Sequence, residues 1–78
     1  MKTIPDLIDA LTVAFQKDLI ENFFVHGLFI DVDFRGRDNA AMCAIYQLRD
    51  YILANYPNVR SADYLPIMHR LRFYICDQ

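Results

Sequence analysis

The sequence predicts an α+β fold in a single small domain, residues 1–78, with two amphipathic helices packed on a small sheet. Three observations predict it. Two segments have apolar residues at helical spacing, and a segment between them alternates apolar and polar residues as a strand does. That strand also requires a hydrogen-bonding neighbour, because unpaired backbone groups are costly to bury. The predicted order of elements is α-β-α-β.

The first predicted element is a helix that Thr3 caps and that runs to about Asn22. Asp6 follows the cap by three residues, and Pro5 falls in the first turn, where its missing N–H costs nothing. Apolar residues then recur every three or four positions, as one face of a helix requires. They are Ile4, Leu7, Ile8, Leu11, Phe15, Leu19 and Phe23.

The second predicted element is a strand over residues 28–34. The apolar period changes to two, and the β-branched and aromatic side chains favour an extended backbone. We expect one face of this strand to pack in the core and the other, which bears Asp31 and Asp33, to face solvent. The core-facing residues are Leu28, Ile30, Val32 and Phe34.

A turn at residues 35–37 then leads to a second predicted helix, which Asp38 caps and which runs to about Asn55. Pro57 cannot continue a helix, so it marks the end. The main apolar stripe consists of Ala41, Ile45, Leu48, Ile52 and Tyr56.

Residues 62–76 fit both a helix and a strand. We favour a strand at about Arg70–Cys76, after a short helical turn near Ser61–Leu65, because the strand at residues 28–34 needs a neighbour. The alternative is an all-α protein of three helices with one extended segment. A sheet of two strands would be enlarged if an edge paired with a second copy.

The composition predicts an apolar surface that binds a partner. Apolar residues make up 55% of the chain and aromatic residues 14%, which is more than so small a core is expected to hide. All six arginines lie in residues 35–78, and arginine and aromatic residues are typical interface anchors. The predicted partner-binding residues are Tyr46, Tyr51, Tyr56, Arg60, Tyr64, Arg70, Arg72, Phe73 and Tyr74.

The sequence shows neither a signal segment nor a membrane span. Its longest apolar stretch, residues 23–30, is far shorter than the ~20 residues that a spanning helix needs. Cys43 and Cys76 lack the spacing of a zinc site or a disulfide framework, and His26 and His69 lack the spacing of metal ligands. We therefore expect a cytoplasmic protein without cofactor, metal or membrane partner.

Asp31 and Asp33 nevertheless raise the hypothesis of a metal-dependent enzyme, because alternate residues of a strand point to one side. A calcium loop starting at Asp31 would need an oxygen ligand at Arg35 and a glutamate at Met42. A phosphoryl-transfer hydrolase would need further carboxylates and a lysine for the phosphate, and no lysine follows residue 17. Because both patterns are incomplete, we predict no catalytic residue and keep the enzyme as a second alternative.

The first alternative is a protein that binds single-stranded nucleic acid with its C-terminal arginine and aromatic residues. Cations interleaved with aromatic rings can follow a phosphate backbone and stack on bases. On a strand, Arg70, Arg72 and Tyr74 would share one face, next to Asp31 and Asp33, and cross-strand pairs would neutralise the arginines. With a pI of about 5.4, nucleic-acid binding is disfavoured.

The preferred hypothesis is a small, non-enzymatic protein-binding module. Its partners would be another protein and a second copy of itself, as a homodimer. By analogy with the tiny proteins of phages and mobile elements, we expect a regulator or inhibitor that acts by occluding its partner.

Overall fold

The computed structural model describes residues 2–76 as two helices and one antiparallel sheet of four strands. The predicted α+β class is confirmed. The order is α-β-β-α-β-β, which adds two strands to the predicted α-β-α-β. The elements are α1 (Ile4–Gln16), β1 (Asn22–Val25), β2 (Phe29–Asp33), α2 (Asn39–Asn55), β3 (Val59–Leu65) and β4 (Arg70–Ile75).

The predicted starts of both helices are confirmed. Thr3 and Asp6 form a capping box, in which the Thr3 N–H donates to the Asp6 carboxylate at 2.8 Å. This hydrogen bond lowers the pKa of Asp6 below its ordinary value. At α2, the Ala41 N–H donates to the Asp38 carboxylate at 2.8 Å. Each side chain thus satisfies a backbone donor that has no partner within the helix.

The predicted end of α1 at Asn22 is wrong, because the helix ends at Gln16. Asp18 has a φ of 61°, a left-handed conformation that a right-handed helix cannot continue. The Leu19 N–H donates to the Ala14 carbonyl at 2.9 Å, which closes the helix as in a Schellman motif. The early end releases Asn22–Val25 to form β1.

The helical turn predicted at Ser61–Leu65 is also wrong, because these residues belong to β3. The predicted strand at Arg70–Cys76 is confirmed as β4, which lies between β2 and β3. A central strand needs a hydrogen-bonded neighbour on each side. β2 therefore pairs with β1 as well as with β4, and β4 pairs with β3 as well as with β2. The strand order across the sheet is β1-β2-β4-β3.

The core lies between the two helices and one face of the sheet. The sheet supplies four side chains with no exposed area, Ile30, Val32, Leu71 and Phe73. The helices cover them with Leu7, Leu11, Ile45 and Ile52. Neither helix within residues 2–76 is long and apolar enough to cross a membrane.

Candidate functional site

The candidate functional site is the sheet face opposite the core, which we call the open face. Successive residues of a strand point to opposite faces, so the neighbours of the buried core residues lie on this side. The strand register aligns them in rows, one of which crosses the sheet through Phe24, Asp31, Arg72 and Asp63. The open face comprises Asn22, Phe24, Phe29, Asp31, Asp33, Ser61, Asp63, Leu65, Arg70, Arg72 and Tyr74.

Asp31 occupies the centre of the open face and is only 1% exposed. Its carboxylate accepts hydrogen bonds from Nε and Nη2 of Arg72, at 2.8 and 3.1 Å, and from Nη1 of Arg70 at 3.2 Å. The prediction that Asp31 faces solvent is therefore wrong. Burying a carboxylate is tolerable here because charged donors replace the water that it loses.

Asp33 lies in the next row of the open face and forms a bidentate pair with Arg70. Nε and Nη2 of Arg70 donate to its two carboxylate oxygens at 2.6 and 3.1 Å. Its side chain is only 20% exposed, which corrects the prediction of a solvent-facing residue. The hydrogen bond with Asp33 raises the pKa of Arg70, and the one with Asp31 raises the pKa of Arg72. Two carboxylates thus offset the charges of two arginines.

Aromatic rings lie against both guanidinium groups. The guanidinium carbon of Arg72 is 4.2 Å from the ring centroid of Phe29, and that of Arg70 is 5.4 Å from the ring centroid of Phe24. The ring centroids of Phe29 and Tyr74 are 6.4 Å apart. Because the arginines are held by carboxylates and by rings, the open face is a preorganised aromatic and guanidinium surface.

His26 lies beside this cluster, just after β1. Its ring is 4.4 Å from the ring of Phe29, and its Nε2 is 3.6 Å from the carboxylate of Asp31. Within residues 2–76, no three histidine, cysteine, aspartate or glutamate side chains converge as metal ligands. A cation at Asp31 and Asp33 would have to displace guanidinium groups from both carboxylates.

The structure separates the nine predicted partner-binding residues. Arg70, Arg72 and Tyr74 come together on the open face. Tyr56 and Phe73 are 3% and 0% exposed. We correct the prediction for these two residues, because rings buried in the core are not available to a partner.

The other four predicted residues lie away from the centre of the open face. Tyr46 and Tyr51 are exposed on α2, and Tyr64 is half-buried, with its ring 6.1 Å from that of Tyr46. Lys2 donates a hydrogen bond to the Tyr51 hydroxyl at 2.6 Å. Arg60, exposed on β3, lies next to the open face and lines a shallow depression together with Tyr74.

Phe24 and Phe29 were not among the residues predicted to bind a partner. Phe24 lay between the predicted helix, which ran to about Asn22, and the predicted strand at residues 28–34. The signal that could have identified it is the aromatic and β-branched composition of residues 23–25, which favours a strand. Phe29 was placed on the face of β2 opposite the core, and the arginine in contact with it lies far along the chain.

His69 belongs to a second buried polar cluster, at the turn from β3 to β4. It is 2% exposed and has a φ of 54°. Its Nδ1 is 2.7 Å from the Tyr64 hydroxyl, and its Nε2 forms a short hydrogen bond with the Gly36 carbonyl. A carbonyl only accepts, so Nε2 donates to Gly36, and Nδ1 shares the second hydrogen bond with the Tyr64 hydroxyl. His69 thus ties this hairpin to the loop before α2, which is a structural role.

No protein-family model, curated protein or solved structure matches this chain. We therefore infer its function from the chemistry of its own residues. The open face combines aromatic rings with fixed arginines whose charges are offset by Asp31 and Asp33, and the exposed carboxylate of Asp63 leaves it slightly acidic.

Proposed function

We propose that the protein is a small, non-enzymatic protein-binding module and that the open face is its partner-binding surface. The module acts in the cytoplasm as a regulator or inhibitor that occludes its partner, and it also self-associates. The observation that supports this proposal is the clustering of Phe24, Phe29 and Tyr74 beside Arg70 and Arg72. Aromatic residues and arginine are enriched among the residues that contribute most to binding.

The fixed positions of the arginines support binding to a protein in particular. Binding loses free energy when long side chains must be ordered, and Arg70 and Arg72 are ordered in advance by Asp31 and Asp33. Because these pairs balance in charge, the surface attracts polyanions less than free arginines would. Such a surface favours a partner with a flat, mixed apolar and polar face.

The proposal is tested with a partner captured from cell lysate by the tagged protein, identified by mass spectrometry and then purified. Isothermal titration of this partner measures the affinity of the wild type and of the variants Tyr74→Ala and Tyr51→Ala. We expect Tyr74→Ala to weaken binding by about tenfold or more, as truncation of an interface anchor does. Tyr51→Ala is the matched control, because it removes an exposed tyrosine from α2, and we expect it to bind as the wild type does.

Two results would contradict this assignment. Equal affinities for the Tyr74→Ala variant and the wild type would place the binding surface elsewhere. If lysates from several hosts yield no partner whose binding is reproduced with purified components, the proposal of a protein-binding module fails.

Single-stranded nucleic-acid binding is the alternative that one observation favours, since Phe24, Phe29 and Tyr74 form rings on a sheet face where bases can stack. The pairing of Arg70 and Arg72 with carboxylates opposes it, because phosphate contacts require available cations. Fluorescence anisotropy with labelled single strands at low salt distinguishes the two functions. We expect no binding; salt-sensitive binding that Tyr74→Ala weakens would favour the alternative.

The metal-dependent enzyme is the remaining alternative, and it has the least support. It requires Asp31 and Asp33 to exchange guanidinium groups for a cation. Calorimetric titration with Mg²⁺ is expected to show no heat of binding. A binding heat that disappears in the double variant Asp31→Asn, Asp33→Asn would support a metal site.

A further inference from the structure

The outer edge of β1 has backbone groups that can pair with another strand. The His26 N–H donates to the Phe29 carbonyl at 2.9 Å, and the direction of such groups alternates along an antiparallel strand. Phe24 lies opposite Asp31 of β2. It therefore directs its N–H and C=O towards Asp31. Phe23 and Val25 direct theirs away from the sheet. The Phe23 N–H donates to the Asn22 side-chain carbonyl at 2.9 Å, a local bond that an added strand would replace, and the register provides no sheet partner for the other outward groups.

The two edges of the sheet differ in their protection against pairing. The β3 edge carries the exposed charges of Arg60 and Asp63, has a register irregularity between Val59 and Ser61, and is followed by Pro66. Charges, bulges, prolines and very short strands are means by which edge strands avoid pairing with other chains. β1 is only four residues long, but its sequence, Asn-Phe-Phe-Val, contains no charge and no proline, and it pairs with β2 in regular register.

Exposed apolar side chains flank the edge of β1 on both sides of the sheet. Phe24 lies on the open face and is 39% exposed, whereas Val25 lies on the helix side and is 49% exposed. Phe15 of α1 is 47% exposed, and its ring packs 6.5 Å from the ring of Phe23. A strand added to this edge would therefore bury apolar surface above and below the sheet.

We propose that β1 pairs antiparallel with β1 of a second copy of the chain, about a two-fold axis at Phe24. In this register Phe24 lies opposite Phe24 of the second copy, and Phe23 lies opposite Val25. Each outward N–H then meets an outward C=O, and the two sheets join with both cores on the same side. The inference rests on the self-association part of the proposed function and is independent of partner binding by the open face.

Charge favours a second copy as the occupant of this edge. A two-fold axis places a strand against its own copy, so any charged residue at the axis meets a like charge. β1 has no ionised side chain, so its self-pairing brings no like charges together. The donors and acceptors of Phe23 and Val25 are also arranged symmetrically about Phe24, which makes the edge complementary to itself.

Disulfide trapping tests the register. In a background of Cys43→Ser and Cys76→Ser, the Phe24→Cys variant is treated with oxidised glutathione, which takes up the electrons released when two thiols join. We expect a covalent dimer, because directly opposite residues of an antiparallel pair have the Cα separation that a disulfide needs. Asn22→Cys is the matched control on the same strand and face. It lies opposite His26 of the second copy and should remain monomeric on denaturing gels.

Equal trapping of the two variants, or trapping of Asn22→Cys alone, would overturn the proposed register. Circular dichroism of each variant verifies that the fold is retained. If Phe24→Cys does not fold, the variants Phe23→Cys and Val25→Cys are used together in its place. In the proposed register, residue 23 of one copy lies opposite residue 25 of the other. The two variants mixed should then form a heterodimer in preference to homodimers.

Sedimentation equilibrium over a range of concentrations tests the dimer without cross-linking. We expect wild-type protein to show the mass of a dimer and Val25→Lys to raise the dimer dissociation constant by about tenfold or more, because it adds charge to the edge. Val13→Lys is the matched control, since it changes the same residue type at nearly the same exposure, 46% against 49%, on α1.

The outcomes separate this inference from the proposed function. A dimer that Val25→Lys leaves intact would use another surface, which overturns the inference and retains self-association. A wild-type protein that stays monomeric at all concentrations overturns both the inference and self-association, whereas the Tyr74→Ala titration decides partner binding independently.

Discussion

At the scale of single residues, Asp31 determines the character of the open face. Its carboxylate is buried between Arg70 and Arg72 and is hydrogen-bonded to both. The two side chains are oriented by these bonds, and the rings of Phe24 and Phe29 lie against them. One buried acid thus arranges a surface of arginine and aromatic groups, in which Asp31 and Asp33 offset the charges of the two arginines.

The substitution Asp31→Asn should lower the free energy of unfolding by about 3 kcal/mol, because it breaks a buried ion pair. We expect the lower end of the range for such pairs, because water reaches the partner arginines and reduces the cost of leaving them unpaired. Asp33→Asn is the matched substitution at a carboxylate with 20% side-chain exposure, and we expect a loss of about 1 kcal/mol. Urea denaturation followed by circular dichroism measures both values. Equal losses would show that burial of Asp31 does not strengthen its contribution.

At the scale of elements, the fold depends on how each helix meets the chain around it. α1 ends where Asp18 turns left-handed, which leaves enough chain for β1. α2 begins after a close approach at Gly36, whose carbonyl accepts from His69. A Cβ at residue 36 would lie 3.0 Å from the Cβ of Ala41, in the first turn of α2.

Gly36→Ala should therefore destabilise the protein by about 1 kcal/mol, because the helix start and the His69 hydrogen bond leave the added methyl little room. Gly27→Ala is the control, because a Cβ there meets nothing within 4 Å and neither glycine has a positive φ. We expect no loss, and a gain of up to about 1 kcal/mol from reduced freedom of the unfolded chain. Thermal denaturation compares the two. A Gly36→Ala variant as stable as wild type would show that the loop adjusts.

At the scale of the whole molecule, a single apolar layer stabilises the fold. Both helices pack on the same face of the sheet, so the core contains few side chains and most of them are completely buried. A domain of 78 residues is expected to have a free energy of unfolding of about 4–12 kcal/mol. The loss of one central side chain should therefore remove a large part of the stability.

Ile30→Ala tests this expectation. Ile30 has no exposed area, and truncation of a buried isoleucine costs about 2–5 kcal/mol, so we expect a large lowering of the urea midpoint. Ile67→Ala makes the same change at a side chain that is 95% exposed, and we expect a change within about 0.5 kcal/mol. Similar midpoints for the two variants would show that the core is not the main source of stability.

The features that could be predicted from the sequence depend on residues close together in the chain. Thr3 and Asp38 cap helices through groups three residues away, and the period of two at residues 28–34 shows that Ile30 and Val32 of β2 enter the core. The prediction that Leu28 faces the core is wrong, because Leu28 precedes β2 and is 71% exposed. The alternation of Arg70 and Arg72 with Leu71 and Phe73 likewise contained the information that Phe73 is buried. The prediction that Phe73 contacts a partner therefore conflicted with its own local pattern.

The remaining features depend on residues that are distant in the chain. Asp31 and Arg72 are 41 positions apart. The need of β2 for a neighbour predicted that β4 lies beside it and that their charges meet, but no local pattern shows that the arginines bury the carboxylate. α1 also ends at Asp18 in the left-handed conformation, where a glycine is more usual. The end of the helix, and therefore the start of β1, was not recognisable from the residue type. Local periodicity and capping thus indicated the class of fold, the second helix and two strands. The pairing of β1 and β3, the burial of Asp31 and the identity of the open face and free edge follow from long-range pairing, because backbone hydrogen bonds and charges find their partners only when the chain is folded.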